Sequence, residues 1–154
     1  MTKRIDSASR SIAASPEAVY RAFAEPGAME RWLPPNDMIG EMLRFDFRDG
    51  GSYRMRLTYA ERDRGQGKTS VSADEVTVRL TRLVPGRSIE QAVVFVSEDP
   101  AFGGVMRMTW SMEAQGDGTL VTVRAEDVPE GIRAEDHVAA MTASLEQLAR
   151  FVEG

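Results

Sequence analysis

Residues 134–154 read AEDHVAAMTASLEQLARFVEG, and their apolar positions decide the fold. Ala134, Val138, Met141, Leu145, Leu148 and Val152 recur at steps of four, three, four, three and four. That spacing places them on one stripe of a helix of about five turns. Glu135 and Asp136 near its start carry the charge that the positive end of a helix favours. An unbroken stripe needs an apolar partner along its whole length.

Upstream, the period changes from helical to two. Tyr53, Met55, Leu57 and Tyr59 alternate with Arg54, Arg56 and Thr58, and Met106, Met108, Trp110 and Met112 alternate with Val105, Arg107, Thr109 and Ser111. This is the pattern of an antiparallel sheet with one buried face and one wet face. Further strands are predicted over residues 3–13, 38–47, 75–84, 89–96 and 119–126, with turn signals at Asp49-Gly50-Gly51, Pro85-Gly86 and Gly116-Asp117-Gly118. Ser15-Pro16-Glu17 starts a short helix, with Ser as N-cap and Pro in the first helical position. Pro26-Gly27 is expected to stop it, and a second piece over residues 28–33 carries Met29, Trp32 and Leu33 before Pro34-Pro35. The polar stretch from Glu61 to Ser70 reads as a loop.

The fold class is therefore α+β, in one domain over residues 1–154. Its order is a strand, two short helices, about six antiparallel strands and a long helix. A helix is about 10 Å wide, whereas six or seven strands about 4.8 Å apart form a much broader, twisted surface. One helix cannot cover that surface, so part of the concave face is expected to stay open as a ligand pocket. Its candidate lining is Trp32, Tyr53, Met55, Leu57, Tyr59, Met106, Met108, Trp110 and Met141. Methionine suits a wall that must adapt to different shapes. The same residues also read as plain core.

Composition narrows the function classes. Apolar residues make up 42% and charged residues 28%, as in a globular protein. The net charge of −5 disfavours a nucleic-acid partner. Cysteine is absent, which excludes disulfides and thiol chemistry, and the single histidine excludes multi-histidine zinc motifs. No metal site and no cofactor are implied. No run is long and apolar enough to span a bilayer, and no apolar segment follows Lys3-Arg4, so a cytoplasmic location is expected.

Several stretches together resemble a known family. They are Ser15-Pro16-Glu17-Ala18-Val19-Tyr20-Arg21-Ala22-Phe23, Arg31-Trp32-Leu33-Pro34-Pro35, Phe45 to Arg54, Pro129-Glu130-Gly131-Ile132 and Ser144-Leu145-Glu146-Gln147-Leu148-Ala149. In order and spacing they are similar to the START-like helix-grip (SRPBCC) superfamily. Within it they resemble the bacterial homologues of the activator of the heat-shock-protein-90 ATPase. The resemblance implies a curved antiparallel sheet wrapped around the last helix, and a cavity that takes apolar molecules. A few members of the superfamily catalyse cyclisation or dehydration there. The family often has Gly-Trp where this chain has Ala140-Met141. If that Trp caps the pocket, Met leaves it larger or differently shaped.

Candidate chemistry is sparse. His137 sits beside the apolar stripe; it is read chiefly as a half-exposed residue with a local hydrogen bond, and alternatively as a general acid or base at the pocket mouth. Asp46 and Arg48 are expected to pair and tie the hairpin, with polarisation of a substrate carbonyl as the alternative. Tyr53 and Tyr59 are better placed to offer a ligand a hydrogen bond. Arg54, Arg56, Arg79 and Arg82 read as a solvated face. The leading expectation is non-catalytic binding of a small hydrophobic molecule. The alternatives are a cyclase or dehydratase using His137, Tyr53 or Asp46, and a protein-interaction module acting on a chaperone or as a homodimer.

Overall fold

A computed structural model describes residues 4–34, 38–59, 73–97 and 99–154. Its strands are β1 (Ile5–Ile12), β2 (Met38–Asp46), β3 (Ser52–Tyr59), β4 (Ala73–Val84), β5 (Ser88–Phe95), β6 (Met106–Gln115) and β7 (Gly118–Glu126). The helices are α1 (Pro16–Arg21), α2 (Pro26–Trp32) and α3 (Ala134–Glu153). The strands form one antiparallel sheet in the order β1-β7-β6-β5-β4-β3-β2, so the first two strands occupy opposite edges. The loop expected at residues 61–70 lies outside the described residues.

The local signals act as their chemistry requires. Ser15 Oγ accepts from the Ala18 amide at 3.1 Å and caps α1. The hairpin at Asp49-Gly50-Gly51 docks on a bulge of β4, where Asp49 Oδ1 accepts from the Leu83 amide at 2.6 Å. Gly51 is required there, because a Cβ would lie 2.2 Å from the Asp46 carbonyl oxygen.

One boundary differs from expectation. Pro26-Gly27 opens α2 rather than closing α1, and α2 runs from Pro26 rather than residue 28. Proline has no amide to lose at a first helical position. α1 instead ends at Arg21, where Ala22, Phe23 and Ala24 bond three residues back and tighten the last turn.

α3 crosses the concave face of the sheet, burying Met141, Leu145 and Leu148 of its apolar stripe. Polar contacts fix α2 beside it. Ser144 Oγ donates to the Leu33 carbonyl at 2.7 Å, and Gln147 Nε2 donates to the carbonyls of Trp32 and Pro34 at 2.7 and 2.6 Å. These bonds satisfy carbonyls that the end of α2 leaves without a helical partner. Beneath them Phe23, Trp32 and Trp110 meet edge to face, with centroids 4.7 to 5.6 Å apart. Trp32 Nε1 donates to the Ala22 carbonyl at 2.9 Å, so this large side chain is sealed without an unpaired donor.

Candidate functional site

Strand register builds two rows of side chains under the first half of α3. Tyr53, Val78, Val93 and Met106 are successive cross-strand partners through β3, β4, β5 and β6. Leu80, Gln91, Met108, Ala125 and Asp6 continue a second row through β4 to β7 and on to β1. Between these rows and α3 lies a chamber of about 210 Å³ whose wall is mostly apolar. Tyr53, Leu57, Met106, Met108 and Trp110 line it from the sheet, and Ala140, Met141, Ser144 and His137 line it from the helix.

A second hollow of about 410 Å³ meets the first at Phe95, His137 and Ala140. It is a vestibule with polar edges, lined by Glu75, Ser97 and Asp136 beside Val96, Phe102 and Ile132. Two loops roof it. The Gly131 amide donates to the Ala101 carbonyl at 2.8 Å, and a Cβ at Gly131 would lie 3.0 Å from the Phe102 ring. Gly131 thereby permits the close approach that sets Phe102 and Ile132 side by side.

The polar groups of the chamber are mostly occupied. Tyr53 is 4% exposed, and burial raises its hydroxyl well above the ordinary phenol range, with the Gln91 side-chain hydrogen bond pulling the other way. At neutral pH it is a donor rather than a base. Ser144 is committed to the Leu33 carbonyl. His137 Nδ1 lies 2.8 Å from Asp6 Oδ2, and Arg4 grips the same carboxylate through Nε at 3.1 Å and a terminal nitrogen at 2.8 Å. The Asp6 side chain is only 3% exposed and that of His137 11%. The Arg4 hydrogen bond, against the opposing effect of burial and with help from His137, holds the Asp6 carboxyl below the usual carboxylate range. An ionised carboxylate only accepts, so the His137 proton sits on Nδ1. In the neutral ring Nε2 then carries a free lone pair, and it has no hydrogen-bond partner among the described residues.

The residues singled out by sequence divide into groups. Tyr53, Leu57, Met106, Met108, Trp110 and Met141 come together on the chamber wall. Trp32 and Met55 do not; both are fully buried in the core away from it, because α2 seals that part of the sheet. The Tyr59 side chain lies outside the described residues. Asp46 does not line the chamber and pairs with Arg48 at 2.8 Å on the surface. The bond of His137 is a correction to the local one expected, because it joins α3 to β1 across 131 residues of sequence. Arg54 and Arg56 are exposed and pair with Glu75.

Arg4 and Asp6 escaped the sequence reading because residues 3–13 show no clear alternation. The faces are even inverted at one point: Ile5 is 48% exposed while Asp6 is buried. Counting back by twos from buried Ile12 would have put Asp6 inside and asked for its partner.

Comparisons with known proteins agree with this architecture. No curated protein matches the sequence. Among solved structures, a protein from Chromobacterium violaceum is 31% identical, with 97% of each chain covered and a TM-score of 0.85. The fold is shared with a protein from Rhodobacter sphaeroides at 17% identity, covering 97% of this chain and 91% of that one, with a TM-score of 0.78. It is shared too with an AHSA1-like protein from Aeromonas hydrophila at 18% identity, covering 97% and 92%, with a TM-score of 0.73. The profile of the family described as activator of Hsp90 ATPase homolog 1-like protein matches residues 13–153, nearly the whole chain. With the sheet, the gripping helix and the residues 13–153 all in agreement, the chain belongs to that family.

Proposed function

We propose that this protein binds a small hydrophobic molecule in the chamber between the sheet and α3. One observation carries the reading: an apolar hollow of about 210 Å³ remains under the helix although the aromatic cluster beside it is closely packed. A cavity of about 150 Å³ lined by apolar side chains accepts benzene, so a two-ring molecule is a fair occupant. Apolar burial, at about 25 cal/mol per Å², supplies the affinity. At about 0.5 kcal/mol per heavy atom, a two-ring molecule binds with a Kd on the order of 100 μM. The vestibule gives the route of entry. Among the described residues no helix is long and apolar enough to cross a membrane, which suits the expected cytoplasmic setting.

Calorimetric titration with 2-methoxynaphthalene tests the reading. Saturable binding at one site is expected, and it should be lost in Ala140→Phe, which fills the junction of the two hollows. Absence of saturable binding to the unaltered protein would refute it.

A second reading, proton-transfer catalysis of the cyclase or dehydratase kind, is favoured by the presence of Tyr53 and His137 in one chamber lining. Asp46 has no part in it. Deuterium exchange at the acidic carbon of a β-diketone, followed by NMR, tests it. Exchange no faster with protein than with buffer alone removes this reading.

A further inference from the structure

The Arg4–Asp6–His137 chain is an unusual expenditure of polar groups beside an apolar hollow. Asp6 stands on the edge strand β1 with Arg4 just before it, and His137 stands on the first turn of α3. Nothing in the fold alone requires a histidine here. A buried carboxylate already paired with arginine needs no second cation, and the helix stripe runs through Val138 and Met141 without it. What the arrangement does achieve is to fix one ring nitrogen as a donor to Asp6. In the neutral ring the other nitrogen is left as an acceptor, on a residue that borders both chamber and vestibule.

We infer that the Asp6–His137 pair recognises the hydroxyl of an otherwise apolar ligand, a phenol or enol, whose O–H donates to His137 Nε2 while its hydrocarbon body fills the chamber. This rests on the binding reading above and names the ligand class that the site selects.

Three features favour a neutral hydroxyl over a carboxylate. The Arg4 charge is already engaged by Asp6. A ligand anion would find no free cation among the described residues of the vestibule, since Glu75 already engages Arg54 and Arg56, and it would meet the carboxylate of Asp136. The Nε2 lone pair itself needs a donor, and phenols and enols are stronger donors than alcohols. Of the other polar wall groups, Ser144 already donates to the Leu33 carbonyl. Asp6 acts as a positioning residue, because it sets the tautomer and does not border the chamber.

The protein has one histidine, so its imidazole ¹⁵N resonances need no assignment. The probes are 2-naphthol and its methyl ether, 2-methoxynaphthalene, which share a ring system and differ in the donor. Calorimetry on the unaltered protein is expected to give 2-naphthol a Kd about 5- to 10-fold lower than the ether, the effect of one hydrogen bond. His137→Phe should bring the two Kd values together while leaving the ether bound. Arg4 and His137 share Asp6 Oδ2, so Asp6→Ala removes the acceptor that holds the Nδ1 proton. The two ¹⁵N resonances should then move toward the tautomer mixture of an unanchored imidazole, and the preference for 2-naphthol should fall. A variant that is merely less stable but keeps the Nδ1 tautomer would show neither change.

Equal Kd values for the two probes on the unaltered protein would overturn the proposal and leave the binding reading intact. So would a preference that survives His137→Phe. If neither probe binds the unaltered protein, the binding reading fails and this proposal falls with it.

Discussion

The two halves of the space beneath α3 were solved in opposite ways. Near α1 and α2, three aromatic rings interlock and Trp32 is sealed completely. Near the first turns of α3, methionines and valines leave a hollow, and His137 in its lining is held by an arginine–aspartate pair. Both halves share one sheet and one helix. The mismatch between a narrow rod and a broad curved sheet is thus general, and the short helices fill it at one end only. Trp110 stands at the border, packed against both Phe23 and Trp32 and also lining the chamber. The closed half is tightly packed core, and the open half is where the proposed ligand would sit.

That contrast breaks most sharply on truncation. Trp32→Ala should cost about 3–5 kcal/mol in urea denaturation, because the surrounding rings cannot collapse into the gap. Met108→Ala, on the wall of an existing hollow, should cost roughly 1 kcal/mol. Equal losses would mean that the hollow is as tightly held as the cluster.

The next effect belongs to the polar rim. Asp6→Asn should cost about 1–3 kcal/mol at pH 7, where the carboxylate accepts charged hydrogen bonds from Arg4. The folded carboxyl titrates below its unfolded value of about 3.9. Its contribution is therefore complete above that value and disappears as pH falls through the lowered folded one. Denaturation curves of the two proteins should converge only as the pH falls through that lowered value. A gap that persists in acid would assign the loss to packing rather than to charge.

Filling separates the halves in the other direction. Ala22→Phe, beside Trp32, should cost about 1–3 kcal/mol through overpacking, whereas Ala140→Phe should stay within about 1 kcal/mol of the unaltered protein. The smallest effect is expected at the surface. Asp46→Asn should change neither the denaturation midpoint nor binding of 2-methoxynaphthalene, since its pair with Arg48 is exposed and lines neither hollow. A loss of binding there would require a site other than the chamber.

Legibility followed the strength of periodicity. The steps of three and four in α3, and the alternation in β3 and β6, are long enough to fix faces, so Tyr53, Met106, Met108 and Met141 fell where the pattern put them. Trp32 and Met55 read as pocket residues because a wall and a core have the same apolar signature. Pro26-Gly27 was ambiguous, since proline both follows and begins helices. The dyad was hidden for a deeper reason. Asp6 and His137 are 131 residues apart, and a buried acid looks like any surface acid until its partner is known.

The sequence by itself determined the periods, the caps, the tight turns and hence the helix-grip order of elements. Those properties are local, and hydrogen bonding and side-chain geometry within a few residues settle them. Only the tertiary structure decided which part of the concave face is filled and where His137 finds its acceptor. Those outcomes depend on how closely distant elements approach, and the distance between α3, β1 and α2 is set by the packing of the whole.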